Sequence, residues 1–515
     1  MYSRLFLFPC RVLRATMVTL TLLTAVNGGV ITLKQAAVDT GTSSQRKADV
    51  AAKIHRVENG LLPSAVIKGQ PLPRMRLIDR MKYHKIPGVG IAVINNYKIE
   101  WARGYGVREA GTNEVVTADT LFQAGSVSKV ITAVATMQLV QQGKLTLDED
   151  VNKKLISWKV PENEFTKNEK VTIRRILTHT AGLTASSSGD YTVGGEIPTL
   201  LQILDGVEPA TTPPIRVVFV PGNKQFYSSS GFFVLQQLLA DVTGKPFPRL
   251  MEEMIFRPMK MGSSTFEQPL PQTLQLKAAS GHYPGDKVVE GKWHVKPEMA
   301  AAGLWTTASD LARFVVEIQK SKAGKSDKIL SKESMNRMLT SEQKLISGGE
   351  GVLVEERGLG FELKRGNNFV RFSHGGRTTG YNCQIIGFDN GQGVVVMTNG
   401  YNQGLVREIV RGVAQEYGWA EYLPKDRTVI SLEPRLLEVY VGEYEFPEGR
   451  NPRISVVSIK DGKLYLDGML LQAESQTSFF GIGEATYTFN RDEEGQVKEM
   501  VYDIGALKLS AKKIK

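Results

Sequence analysis

From Pro73 onward the pattern of hydrophobic and polar positions tightens into recognisable elements. Val89-Gly-Ile-Ala-Val-Ile94 and Ile99-Glu-Trp-Ala-Arg-Gly-Tyr105 flank Asn95-Asn96-Tyr97, which predicts a β-hairpin. After Gly125 the spacing changes: Val127, Val130, Ile131, Val134 and Met137 fall on one side of a helix, and Gly143 is its stop signal. Residues 145 to about 265 read as helix and loop. Thr307-Ala-Ser-Asp opens another capped helix. Strands are predicted around Leu359–Lys364, Phe369–Ser373, Tyr381–Phe388 and Gly393–Thr398, then a helix over Leu405–Tyr417. Past Pro424 the texture becomes short strands and turns. Tyr440–Phe446, Ile454–Ile459, Lys463–Leu466, Ala485–Phe489 and Gln496–Tyr502 are the candidates, with Asp461-Gly462 and Glu494-Gly495 as hairpin turns. Strands at that spacing predict a small barrel or sandwich.

Composition narrows the class without changing this outline. The 515 residues are 42% hydrophobic and 23% charged, as in ordinary globular proteins, which excludes disordered and collagen-like chains. Cys10 and Cys383 are the two cysteines, too few for a disulfide framework or a Cys-rich metal site. The net charge of +11 comes from 64 basic and 53 acidic residues interleaved along the chain, so it favours anionic surfaces without pointing to nucleic acid. Six scattered His and no HExxH argue against a zinc hydrolase.

The N-terminus has the pattern of an export signal. Arg4, Arg11 and Arg14 precede an apolar run from Ala15 to Val26, followed by Asn27-Gly28-Gly29. The run is shorter than the ~20 residues that span a bilayer, so no stable transmembrane anchor is expected. Residues 1–29 are therefore read as a signal peptide, and the bacterial periplasm or the cell exterior as the working compartment. Residues 30–72 read as a linker with one short amphipathic segment, 73–425 as a large domain and 434–515 as a small β domain.

Three short segments carry chemistry. In Ser126-Val-Ser-Lys129, Ser126 and Lys129 share one face of a helix's first turn, where free backbone N–H groups and the positive helix end favour an oxyanion. A serine hydroxyl needs an adjacent base, and a neutral lysine can be one. Its pKa would have to fall by about 3 units from 10.4, a cost of roughly 4 kcal/mol that burial and a second cation could impose. The same residues also read as an ordinary capped helix with a solvated lysine. Phe226-Tyr-Ser-Ser-Ser-Gly231 presents Tyr227 and Ser229 on a loop entering a helix, or simply packs a tyrosine beside a cap. Ser373-His-Gly-Gly-Arg377 ends a strand, where two glycines permit a close approach. Its histidine also reads as a satisfied surface or core residue, and its glycines as a bulge.

In this order and at this separation the three segments resemble the motifs of the serine β-lactamase and penicillin-binding-protein superfamily, S-x-x-K, Y-x-N and K-T-G or H-x-G. The branch is that of class C β-lactamases, family VIII esterases and D-aminopeptidases. Leu121-Phe-Gln-Ala-Gly-Ser-Val-Ser-Lys129, Gly143-Lys-Leu-Thr-Leu-Asp148 and Ile176-Leu-Thr-His-Thr-Ala-Gly-Leu183 add to the likeness, which covers about residues 73 to 420. Residues from about 434 resemble a small lipocalin-like C-terminal domain.

The resemblance implies an α/β (α+β) fold, with an antiparallel sheet flanked by helices, a helical subdomain and a C-terminal β-barrel-like domain. It makes Ser126 the nucleophile, Lys129 the base or proton relay and Tyr227 the general acid/base. His374 fills the K-T-G lysine position and, with a marginal charge at neutral pH, would tune its neighbours. The backbone N–H groups of Ser126 and Arg377 would form the oxyanion hole, with Gly375 and Gly376 lining the substrate's approach. Ser229 stands where the family's Asn binds a substrate amide, and His179 reads as structural. No metal or cofactor is implied. The expected partner is a small ester, amide or peptide substrate, peptidoglycan-derived ones included. An esterase or D-amino-acid-directed peptidase leads, a β-lactamase or D-Ala-D-Ala carboxypeptidase follows, and a catalytically weak peptidoglycan-binding envelope protein is the alternative of another class. No G-x-S-x-G, P-loop or dinucleotide fingerprint is present.

Overall fold

The computed structural model describes residues 43–186, 189–344, 356–366, 369–446, 453–481, 485–503 and 508–515. The expected signal segment, residues 1–29, lies outside them. Contacts divide the chain into residues 1–48, of which only the start of the helix Ser43–Glu58 is described, and residues 49–515.

The second unit is built on an antiparallel sheet. Its described strands run, in spatial order, Lys98–Gly106, Gly88–Asn95, Gly393–Thr398, Tyr381–Phe388, Val370–Thr378, Glu362–Arg365, Glu356–Arg357 and Gln343–Lys344. The hairpin Gly88–Gly106 turns through Asn96 and Tyr97, both at positive φ, the backbone that a tight two-residue hairpin turn requires. The central strands are apolar at consecutive positions because both sheet faces are covered. Ala92, Ile94, Ile385, Val395 and Met397 join one core, which includes the helices Val127–Gln141 and Ala308–Lys322. Val89, Ile91, Val93, Val394 and Val396 point the other way, into a second core with Leu77–His84 and Gln403–Tyr417. Two-residue periodicity thus sorts one run of valines and isoleucines into two layers.

Two expectations change. The helix Val127–Gln141 carries more than an apolar stripe. Ser128, Lys129, Thr132 and Thr136 are buried with it, because Met299–Ala302 and Ser230–Thr243 pack on its remaining sides. The threonines satisfy their hydroxyls on the preceding turn, Thr132 Oγ1 donating to the Ser128 carbonyl at 2.9 Å and Thr136 Oγ1 to that of Thr132 at 2.8 Å. The region read as a linker also contains structure. Ile54 and Val57 are buried in the second core, and Ala65–Ile67 pairs in parallel with Lys425–Arg427. A single helical face among polar residues was the whole sequence signal for that helix.

The C-terminal strands, Gly442–Phe446 to Lys508–Lys513, form a closed eight-stranded barrel. Met469–Ala473, Ser478–Phe480 and Lys508–Lys513 complete it beyond the five strands expected from sequence. Its core is separate from the other two and aromatic. The Phe489 ring centroid lies 4.7 Å from that of Tyr440, 5.5 Å from Phe479 and 5.6 Å from Tyr444. Among the described residues, no helix is long and apolar enough to cross a membrane.

Because Phe489 is buried in a core of its own, Phe489→Ala should cost about 3–5 kcal/mol locally. Hydrogen exchange should then rise in the barrel strands and stay unchanged in Gly88–Asn95 and Gly393–Thr398. Equal acceleration in both regions would show that the barrel is not a separate cooperative unit.

Candidate active site

Ser126 sits at the entry to the helix Val127–Gln141, after a chain that turns at Gly125 with φ of +52°. Ser128 pins this entry: its hydroxyl donates to the Gly125 carbonyl at 2.7 Å and accepts from the Leu304 N–H at 3.1 Å. One turn along, Lys129 is 1% exposed. Its Nζ stands 3.1 Å from Ser126 Oγ and 3.0 Å from the Ala301 carbonyl oxygen. Burial, and secondarily the nearby Arg357 guanidinium, pulls the Lys129 ammonium down to about 7. The solvated-lysine reading of this helix is thereby removed.

The strand Val370–Thr378 passes directly beside the helix entry. A Cβ on Gly376 would stand 2.0 Å from the Ala124 carbonyl oxygen, and a Cβ on Gly125 would stand 2.8 Å from the Arg377 backbone N. The strand can approach this closely because both positions lack side chains. It brings the Arg377 backbone against Gly125, the residue before Ser126. Gly375 is under no such constraint, since the nearest heavy atom to its Cβ would be Gln384 Oε1 at 3.4 Å. The Arg377 side chain leads away, donating from Nη2 to Tyr401 Oη at 3.0 Å.

Tyr227 is 41% exposed and stacks on His179, with ring centroids 4.3 Å apart. Lys129 Nζ lies 5.4 Å from the Tyr227 ring centroid. His179 has φ of +57°, and its carbonyl accepts from the Phe226 N–H at 2.8 Å. Its Nδ1 stands 3.2 Å from the Ser228 carbonyl oxygen and 3.3 Å from the Ser228 N. Burial keeps this imidazole neutral, its pKa well below the ordinary range. It is structural in a specific sense, as the platform for Tyr227 and its loop. Ser229 precedes the helix Ser230–Thr243, with its N–H donating to the Ser186 carbonyl at 3.2 Å. The flanking Ser228 and Ser230 hydroxyls both donate to the Thr184 carbonyl, at 2.8 and 2.7 Å.

His374 is 2% exposed, and its Nδ1 lies 2.6 Å from the Gly375 carbonyl oxygen. Burial, reinforced by Arg357 and then Lys129, lowers its pKa to about 3. Sequence reasoning gave this histidine a marginal charge at neutral pH; enclosure takes that charge away. The second cation is elsewhere. Arg357, 3% exposed on the strand Glu356–Arg357, places its guanidinium carbon 5.9 Å from the Tyr227 ring centroid. No sequence signal marks it, since it is one charged residue in a charged stretch. The Ala301 carbonyl that holds Lys129 was equally invisible. Among the described residues, no three His, Cys, Asp or Glu side chains gather where they could hold a metal.

Residues 76–416 match the sequence profile of the family described as Beta-lactamase. The chain belongs to the beta-lactamase family. This beta-lactamase-fold family is one of serine hydrolases. Among curated relatives, Penicillin-binding protein 4 of Amycolatopsis lactamdurans is 30% identical over 242 residues, 45% of this chain and 59% of that protein. A Beta-lactamase of Pseudomonas fluorescens is 29% identical over 241 residues, 46% of this chain and 60% of that protein. The chain thus spans less than two thirds of the length of either relative. Among solved structures, the octameric penicillin-binding protein homologue from Pyrococcus abyssi has a TM-score of 0.56 at 20% identity, covering 85% of this chain and 98% of that one. The D-amino acid amidase from Ochrobactrum anthropi complexed with D-phenylalanine gives 0.56 at 20% identity, covering 67% and 97%. At such identities the likeness is one of fold.

The approach at Gly376 gives a direct test. Gly376→Ala should force the strand away from Ala124 and move the Arg377 N–H, lowering kcat on a p-nitrophenyl ester by about 100-fold or more while circular dichroism stays unchanged. A variant with undiminished kcat would show that this backbone is not needed for turnover.

Proposed function

We propose that this member of the beta-lactamase family is an exported serine hydrolase that cleaves an ester or amide bond through an acyl-enzyme on Ser126, with small or D-amino-acid-containing compounds as substrates. The observation that carries this reading is the contact of Ser126 Oγ with a buried Lys129 held near neutral pKa. Neutral Lys129 takes the Ser126 proton as Oγ bonds to the substrate carbonyl carbon. The negative charge that develops on the carbonyl oxygen falls to the N–H groups of Ser126 and Arg377. Tyr227, exposed and above Lys129, donates a proton to the departing alkoxide or amine as the tetrahedral intermediate collapses. It then takes one from the water that hydrolyses the acyl group, while the Lys129 ammonium returns its proton to the departing Ser126 Oγ. His374 stays neutral and contributes shape and hydrogen bonding. The D-amino acid amidase among the structural neighbours supports the substrate class. Export rests on the basic flank and apolar run of residues 4–26.

A second reading, as a β-lactamase or D-Ala-D-Ala carboxypeptidase, is favoured by the names of the two curated relatives. It is disfavoured by Ser229, whose short hydroxyl lacks the paired donor and acceptor with which Asn grips a substrate amide.

Ser126→Ala should abolish labelling by a fluorophosphonate probe and reduce hydrolysis by about 10⁴-fold or more, with the fold intact. An acyl adduct located by mass spectrometry on another serine would overturn the assignment. An unmodified chain that is never labelled would instead favour a binding protein.

Two assays separate the hydrolase readings and test the base. On a common enzyme preparation, kcat/KM for a short p-nitrophenyl ester should exceed that for a chromogenic cephalosporin; the reverse order would favour the β-lactamase reading. Because the base must be neutral, kcat/KM should fall as pH drops through about 7 and level off above it. A limb near 10 would mean an unperturbed lysine.

A further inference from the structure

A base of this kind is usually helped by a permanent positive charge close by, and position 374 does not supply one, since His374 is enclosed and uncharged. The charge in the right place belongs to Arg357. Its guanidinium carbon is 5.9 Å from the centroid of the Tyr227 ring, and Lys129 Nζ is 5.4 Å from the same centroid. The two cations therefore meet around one aromatic ring beside the Ser126 hydroxyl. Arg357 is also 3% exposed, and its Nε and Nη1 are buried without a hydrogen-bond partner among the described residues. A buried guanidinium with two unsatisfied nitrogens costs stability, so a fold that keeps one calls for a reason beyond packing.

The surroundings leave this charge largely uncompensated. Around Lys129 stand Ser126 on its own helix, the Ala301 carbonyl, the Tyr227 and Phe232 rings, His179, His374 and Arg357. Among the described residues, no carboxylate contributes to the electrostatics of Lys129. Around Arg357 stand Tyr227, Lys129, both histidines and Glu362, which faces it in register across the neighbouring strand. Burial raises the pKa of Glu362, weakening it as a counter-charge, and Arg371 and Ser373 share what charge it has.

We propose that Arg357 is a positioning residue of electrostatic kind: from the strand Glu356–Arg357 it supplies the fixed positive charge that keeps Lys129 unprotonated and able to accept the Ser126 proton. The inference rests on the roles assigned above to Ser126 and Lys129. Arg357 need not touch substrate. It acts through Lys129, whose ammonium form its charge disfavours, while burial does the larger share.

The test uses the full chain and two substitutions, Arg357→Met and Arg357→Lys, with kcat/KM for a p-nitrophenyl ester and the rate of Ser126 fluorophosphonate labelling measured from pH 5 to 10. Removing the charge should move the acidic limb of both profiles up by about one pH unit and leave the high-pH plateau within a few-fold of the unmodified chain. Arg357→Lys should return the limb toward its original position. A limb that stays in place while the rate falls evenly at every pH would overturn the proposal and reduce Arg357 to packing. So would a lysine variant that moves the limb as far as methionine does. Should Arg357→Met fail to fold, Arg357→Gln, which keeps N–H donors without the charge, carries the same two outcomes. Failure of the unmodified chain to label at any pH would remove the Ser126 reading itself, whereas a labelled Ser126 with an unmoved limb removes only Arg357.

Discussion

The burial of one lysine organises this protein. Taking the Lys129 ammonium out of water disfavours its charged form, and the fold offers it few compensations: a serine hydroxyl, one carbonyl, and aromatic rings beyond 5 Å. Enclosing it takes the helix Val127–Gln141 on one side and Met299–Ala302 and Ser230–Thr243 on others. The strand carrying His374 closes against the same helix entry at Gly376. The three motifs that lie so far apart in the chain are the walls of one enclosure.

That enclosure works against stability in a definite direction. The folded lysine has a lower pKa than the unfolded one, so the burden is absent above the unfolded value near 10.4. It grows as pH falls toward about 7 and is constant below that. Two large hydrophobic cores, one on each face of the sheet, offset it. Arg357 adds to the strain on the same ground, since its Nε and Nη1 are buried without a hydrogen-bond partner among the described residues. Lys129 and Arg357 are both buried beside the Tyr227 ring, and each disfavours the charged form of the other. They are what a site needs if a lysine is to be a base near neutral pH.

What the sequence revealed follows from what is local. The hairpin at Asn96-Tyr97, the helix opening at Ser126 and the strands Tyr381–Phe388 and Gly393–Thr398 each carry their signal in adjacent residues, and they occur where expected. Ser126 and Lys129 were legible because their contact is made within one helical turn. Arg357 was not, because its meaning lies in a distance to Tyr227, 130 positions earlier in the chain. The charge of His374 was misjudged for a related reason: a ring nitrogen's protonation depends on enclosure, which a motif does not display. The helix Ser43–Glu58 showed only as a short amphipathic segment, and the strand Lys508–Lys513 not at all, because polar residues dominate both.

Whether Lys129 is neutral near physiological pH can be read without turnover. With lysine labelled at Cε and Nζ, and Lys129→Met used to assign its signal, the NMR titration of Lys129 gives its ionisation directly. A transition near pH 7, well apart from the other lysines, is expected of a buried, neutral Lys129. A Lys129 signal that titrates with the bulk near 10.4 would contradict it.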